Sequence, residues 1–191
     1  MKTKQKKSRF GFTLAEVLVV IGLIAILSVF AVGIFLSNNQ FYQTQSGEIN
    51  SIVSTRLISD RINEYGRVAN SIVASRAFSG ATYTTGAETV IFQIPSVNGS
   101  GGIIAGTYDY VVVSEDLSDA TRLRLILDPN ASSARISRDI ELTTNLTSVS
   151  FTYSDADPTL AKNVNYEVRV TEGGRYQSTE RVTGGVTLRN K

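Results

Sequence analysis

Phe12-Thr-Leu-Ala-Glu-Val-Leu-Val-Val-Ile-Gly-Leu-Ile-Ala-Ile-Leu-Ser-Val-Phe-Ala-Val-Gly-Ile-Phe-Leu36 contains one ionisable group, Glu16. As a helix rising about 1.5 Å per residue it extends about 37 Å, enough to cross a hydrocarbon core of about 30 Å with some tilt. Lys2, Lys4, Lys6, Lys7 and Arg9 precede it and end in Gly11. Basic residues on that side predict a cytoplasmic N-terminus and an exported remainder. A cleavable secretory signal has an apolar region of only about 7–15 residues followed by a small-residue site. This run is longer, and Leu36-Ser-Asn-Asn-Gln40 continues into more helix-like sequence. A plain single-pass anchor is the simplest reading of hydropathy alone.

Glu16 argues for more than an anchor. A carboxylate within a span costs up to about 3 kcal/mol at the centre, less near an end, and marks a group with a specific partner. Gly11-Phe-Thr-Leu-Ala-Glu-Val-Leu18, after its basic leader, resembles the type IV prepilin motif, in which the leader ends at G-F-T-L-x-E. The resemblance implies that prepilin peptidase cleaves after Gly11 and methylates the new N-terminal Phe12. It also implies that Glu16 pairs with the N-terminal amine of a neighbouring subunit during assembly. Ala15 stands where the family often has isoleucine, Phe10 separates the basic run from Gly11, and no proline occurs before Pro95. Gly22 and Gly33 are the residues of the span able to loosen or pack a helix.

Composition narrows the function. Lys plus Arg number 19 against 17 for Asp plus Glu; removing the five leader cations leaves 14 against 17, a net of −3. Nucleic-acid binding by bulk charge is disfavoured. The absence of Cys and His removes disulfides, Ser-His-Asp and Cys-His catalysis, and the commonest zinc ligands. No enzyme activity and no cofactor are expected.

From Ser37 to about Ala77 the pattern is helical. Ile58, Ile62, Tyr65, Ala69 and Ile72 recur at spacings of four and three, and Ile49, Val53 and Leu57 extend the stripe backward. Core packing of this stripe is expected, with a partner-helix seam as the rival. Period-two alternation follows at Val90/Phe92/Ile94, Tyr108/Tyr110/Val112, Leu123/Leu125/Leu127, Val149/Phe151/Tyr153 and Val164/Tyr166/Val168/Val170. Turn signals fall at 98–102, 128–130, 155–158 and 172–174. An antiparallel sheet covered by the amphipathic helix results, an α+β fold like the ladle of pilins. The expected divisions are a leader (1–11), a membrane and polymerisation segment (12–36), an amphipathic helix (37–77) and an exported β-domain (78–191).

Glu180-Arg-Val-Thr-Gly-Gly-Val-Thr-Leu-Arg-Asn190 resembles the closing strand of PilW-like minor pilins and J-type pseudopilins, as does the layout around Ser150–Tyr153 and Tyr166–Val170. The resemblance implies a minor subunit of a pilus, type II secretion or competence filament. Its partners would be prepilin peptidase, other pilin subunits, an inner-membrane assembly platform and the bilayer, with no nucleic acid. A tip-displayed adhesin and an unprocessed membrane anchor are the alternatives.

Other motifs read as loop chemistry. Asp155 and Asp157 could donate oxygens to Ca²⁺ but lack the glycine and distal glutamate of an EF-hand loop, so an Asx turn before Pro158 is expected. Asn98, Asn130 and Asn145 open N-x-[ST] triplets read as turns. Arg169, Arg175, Arg181 and Arg189, interleaved with Tyr166 and Tyr176, could capture DNA, but Glu167, Glu172 and Glu180 alternate among them, giving a mixed-charge face. Gly99, Gly101 and Gly102 lack the Lys-Ser/Thr of a phosphate cradle.

Overall fold

A computed structural model describes residues 12–173 and 177–189; the leader charges and Gly11 lie outside them, as do Arg175 and Tyr176. Helix α1 (Leu14–Val68) passes through the boundary between two units, Met1–Tyr42 and Gln43–Lys191. In the first unit every described side chain is exposed, consistent with an apolar sequence whose partner is not the chain itself.

The second unit is α+β, with the helix packed against antiparallel sheets. One sheet has the order β1-β4-β5-β6-β7, formed by β1 (Ser71–Ile72), β4 (Thr89–Val97), β5 (Ile103–Asp116), β6 (Asp119–Asp128) and β7 (Arg138–Thr143). A second has the order β10-β9-β8, from β8 (Leu146–Tyr153), β9 (Asn163–Glu172) and β10 (Ser178–Thr187). The hairpin of β2 (Ser75–Phe78) and β3 (Ala81–Thr84) turns at Ser79-Gly80, both at positive φ, as a two-residue hairpin loop needs.

Alternation places Val90, Phe92 and Ile94, then Leu123, Leu125 and Leu127, then Val164, Tyr166, Val168 and Val170, in one core with Ile58 and Ile62 of α1. Burying each such aliphatic side chain contributes about 1.5–3 kcal/mol. Strand β5 differs from expectation because both its faces are covered. Val111 and Val113 join the main core, whereas Val112 packs with Ile91, Ile126 and Tyr83 on the other side of the sheet. Phe78 and Ala81 of the β2–β3 hairpin lie against that second cluster. Arg76 holds the hairpin there, its guanidinium 4.1 Å from the Tyr110 ring centre and 2.8 Å from the Asp128 carboxylate.

Two expectations for the helix are corrected. It ends at Val68, not near Ala77. Ala69 and Ile72 are buried as expected, but the chain there has left the helix, because Ser71 and Ile72 pair with Gln93 and Phe92 of β4. Strand pairing meets the same backbone groups that further helix would have met. The second correction concerns facing. Ile49, Ile52, Val53 and Leu57 are between 43% and 60% exposed, while the opposite face buries Gly47, Ser51 and Thr55 before continuing to Ile58, Ile62 and Gly66. Ser51 Oγ donates to Glu48 O at 2.9 Å and Thr55 Oγ1 to Ser51 O at 2.9 Å, so both hydroxyls are buried with their bonds made. Small residues there let the helix backbone approach the domain. At Gly66 an added Cβ would lie 2.7 Å from Val186 Cγ1.

Tyr166 ties helix to sheet. Its hydroxyl lies 2.7 Å from Ser59 Oγ and accepts from Asn63 Nδ2 at 2.9 Å. A Cβ on Gly184 would collide with that hydroxyl, whereas one on Gly185, on the exposed face, would crowd the Asn165 side-chain oxygen and touch Val164 O at ordinary contact distance. Gly184→Ala should therefore destabilise the domain by about 1–3 kcal/mol, the usual cost of overpacking. Gly185→Ala should cost less, because the Asn165 side chain can swing aside. Thermal melts of the two variants check the contrast, and equal shifts would contradict it.

A buried carboxylate fixes the segment after β6. Asp109 of β5, fully buried, accepts from Ser96 Oγ (2.7 Å), Asn130 N (2.9 Å), Ser133 Oγ (2.8 Å) and Arg135 Nη1 (2.6 Å). Burial alone would push its carboxyl up, but these four donors together outweigh burial and hold it below the ordinary aspartate value.

Candidate functional site

The functional features converge on the start of α1. Thr13 is its N-cap: its carbonyl accepts the first helical bond from Val17 N at 3.2 Å. Glu16 N donates to Thr13 Oγ1 at 3.3 Å, and Thr13 N donates to Glu16 Oε2 at 2.8 Å. This reciprocal pair is a capping box, and Thr13 Oγ1 adds a third bond to Glu16 Oε2 at 3.0 Å. The signal was present in the sequence as Thr-x-x-Glu before an apolar run. The helix macrodipole favours a carboxylate in this first turn as well.

Beyond the box, α1 contains an 18-residue window with mean hydropathy 3.1, none of it buried. It is long and apolar enough to cross a membrane. A family model described as the prokaryotic N-terminal methylation motif matches residues 6–32. The N-terminus is of the prepilin type. No significant match was found among curated proteins or solved structures. The motif match supports a type IV pilin-like or pseudopilin protein, processed by prepilin peptidase. The motif implies a structural protein that assembles with other pilins, and together with the apolar helix it supports a single-pass membrane anchor.

The remaining candidates of the chain are loop and surface groups. Asp155 Oδ1 accepts from Asp157 N at 3.0 Å, and Asp157 caps a short 3-10 helix, Pro158–Leu160, by accepting from Thr159 N at 2.9 Å. Among the described residues no group of three His, Cys, Asp or Glu could hold a metal ion. Glu167 receives both Arg169 (2.8 Å) and Arg181 (2.7 Å), so these two guanidiniums are engaged within the sheet face. Burial would raise the Glu167 carboxyl, but the two arginines outweigh that and lower it. Around them the exposed face of the three-stranded sheet presents hydroxyls and an amide, including Thr147, Ser150, Thr152, Asn165 and Thr183. Asn130 Oδ1 accepts from Ser132 N, and Asn145 Nδ2 donates to Glu172, both as turn residues.

Proposed function

We propose that the chain is a minor pilin or minor pseudopilin, a filament subunit cleaved after Gly11 and methylated on Phe12. In this reading the leader charges Lys2, Lys4, Lys6, Lys7 and Arg9 keep the N-terminus cytoplasmic, and residues 43–191 form the extracytoplasmic domain. The observation that carries the proposal is the helix surface. α1 is apolar and unburied along its membrane segment, and on the domain's own stretch Ile49, Ile52, Val53 and Leu57 face outward, opposite the domain core. The domain buries the small-residue face and leaves the large apolar one for other subunits. The rival reading of this stripe, a partner-helix seam, gains from that arrangement.

Transfer from lipid to a filament core costs the apolar residues little, because both surroundings are apolar. Glu16 and a cationic amine on Phe12 of an adjacent subunit would neutralise each other there. The choice of a minor over a major subunit rests on the resemblance of residues 180–190 to closing strands of minor subunits. The first test is the intact mass of membrane-extracted protein with N-terminal fragment sequencing, from cells containing prepilin peptidase. A chain starting at methylated Phe12 is expected. A chain starting at Met1 would return the reading to an unprocessed anchor.

A further inference from the structure

The loop joining β4 to β5 holds the single Asn-Gly pair of the chain, Asn98-Gly99, and the pair is exposed. Asn98 Oδ1 accepts three hydrogen bonds, from Ser100 N at 3.1 Å, Ser100 Oγ at 2.8 Å and Gly102 N at 2.8 Å. The loop is closed beneath them, with Asn98 N donating to Gly102 O at 2.8 Å and Gly101 N to Asn98 O at 2.9 Å. Around Gly99 the space is open, with nothing within 4 Å of where a Cβ would stand.

We propose that Asn98 is a self-modification site, deamidating through its own backbone under activation by the three donors on Oδ1. The Gly99 nitrogen, after losing its proton to solvent base, attacks Asn98 Cγ. Negative charge then develops on Oδ1, where Ser100 N–H, Ser100 O–H and Gly102 N–H already point, an oxyanion-hole arrangement. The Cγ–Nδ2 bond breaks, and Nδ2 takes a proton from water and leaves as ammonia, giving a cyclic imide between residues 98 and 99. Water adds to either imide carbonyl and opens the ring to aspartate or to isoaspartate. No electrons change hands, and the sum is amide plus water to acid plus ammonia. Glycine at 99 matters because no Cβ hinders its nitrogen.

The two products differ structurally. Aspartate keeps all three donors, now to a charged acceptor, and retains the loop. Isoaspartate inserts a methylene into the main chain between residues 98 and 99 and breaks the closure to Gly102. Either product adds a negative charge to an exposed loop of the domain. The proposal does not depend on the filament reading.

The test incubates full-length, detergent-extracted protein at mildly alkaline pH and follows each asparagine by peptide mass mapping, with chromatographic separation of isoaspartate. Asn98 should convert before Asn130 and Asn145. Ser100→Ala, which removes one donor, should slow conversion by about 2- to 10-fold, the worth of one hydrogen bond. Gly99 has no positive φ and open space, so Gly99→Ala should fold and lose conversion over the same incubation. Conversion of Asn130 or Asn145 ahead of Asn98 would overturn the proposal. An unchanged or faster rate in Ser100→Ala would overturn it too, showing that the donors restrain the loop and do not activate the carbonyl.

Discussion

Glu16→Gln is expected to insert into the membrane in normal amount and to be missing from the sheared filament fraction. Glutamine is the informative substitution because Glu16, as the partner of Thr13 in the capping box, has two separable duties. Its oxygen accepts from Thr13 N at 2.8 Å, which a glutamine oxygen can also do. Its charge is the part that a cationic Phe12 amine on a neighbouring subunit would need. A cap is worth about 1 kcal/mol to the helix. Breaking a desolvated ion pair by removing one partner costs about 3–5 kcal/mol. The larger quantity belongs to the charge, so the filament defect should follow the charge. Glu16→Ala, which loses both duties, should be equally absent from filaments and no worse inserted. Quantifying each variant in membranes and in sheared filaments by immunoblot decides the matter. Wild-type filament levels for Glu16→Gln would assign Glu16 to helix capping alone.

Asp109→Ala is expected to destabilise the domain by about 3–5 kcal/mol. At about 2–4 °C per kcal/mol for a chain of this size, the midpoint should fall by about 6–20 °C. The change leaves the Arg135 guanidinium without its carboxylate and removes the acceptor for Ser96, Ser133 and Asn130 N. Arg135→Met should cost less, since three neutral donors still meet Asp109 and the Arg135 side chain is 25% exposed. Acid should act through the same group. The folded Asp109 carboxyl lies below its unfolded value of about 3.9, so its contribution is complete above that pH and is lost as the pH falls through the folded value. Asp116 works in the same direction, lowered to about 2 by bonds from Ser118 and Arg124. Thermal melts between about pH 2 and pH 7 should therefore show wild type losing stability towards the acid end. Asp109→Ala should lose less there. Parallel pH curves for the two proteins would rule out this account of Asp109.

Much of this was legible in the linear chain because it is local. A 25-residue apolar run, a basic leader and one glutamate need no tertiary information to be read as a membrane helix with a prepilin-type start. Strand alternation at 164–170 was equally plain, since that strand presents one face to the core, and at 90–94 and 123–127 it marked the face that joins the main core, although Ile91 and Ile126 between those positions are buried in the second cluster. The capping box was legible too, as Thr13 and Glu16 lie three residues apart, although a functional reading of Glu16 conceals it.

Tertiary structure alone decided the rest. Periodicity shows that residues 47–66 have two faces but not which one the domain takes. Size suggests Ile49, Val53 and Leu57, yet the domain takes Gly47, Ser51 and Thr55. Hydroxyls bonded to their own helix can be buried at low cost and permit close backbone approach, so the large apolar groups stay outside. The helix end at Val68 was likewise set from outside, by β4 pairing with Ser71 and Ile72. Asp109, a lone acid between two tyrosines, gave no sign of burial, because its four donors come from residues 13 to 26 positions away. Local sequence determines what a segment can form; only contacts made at a distance settle which surface it keeps and which it leaves for a partner.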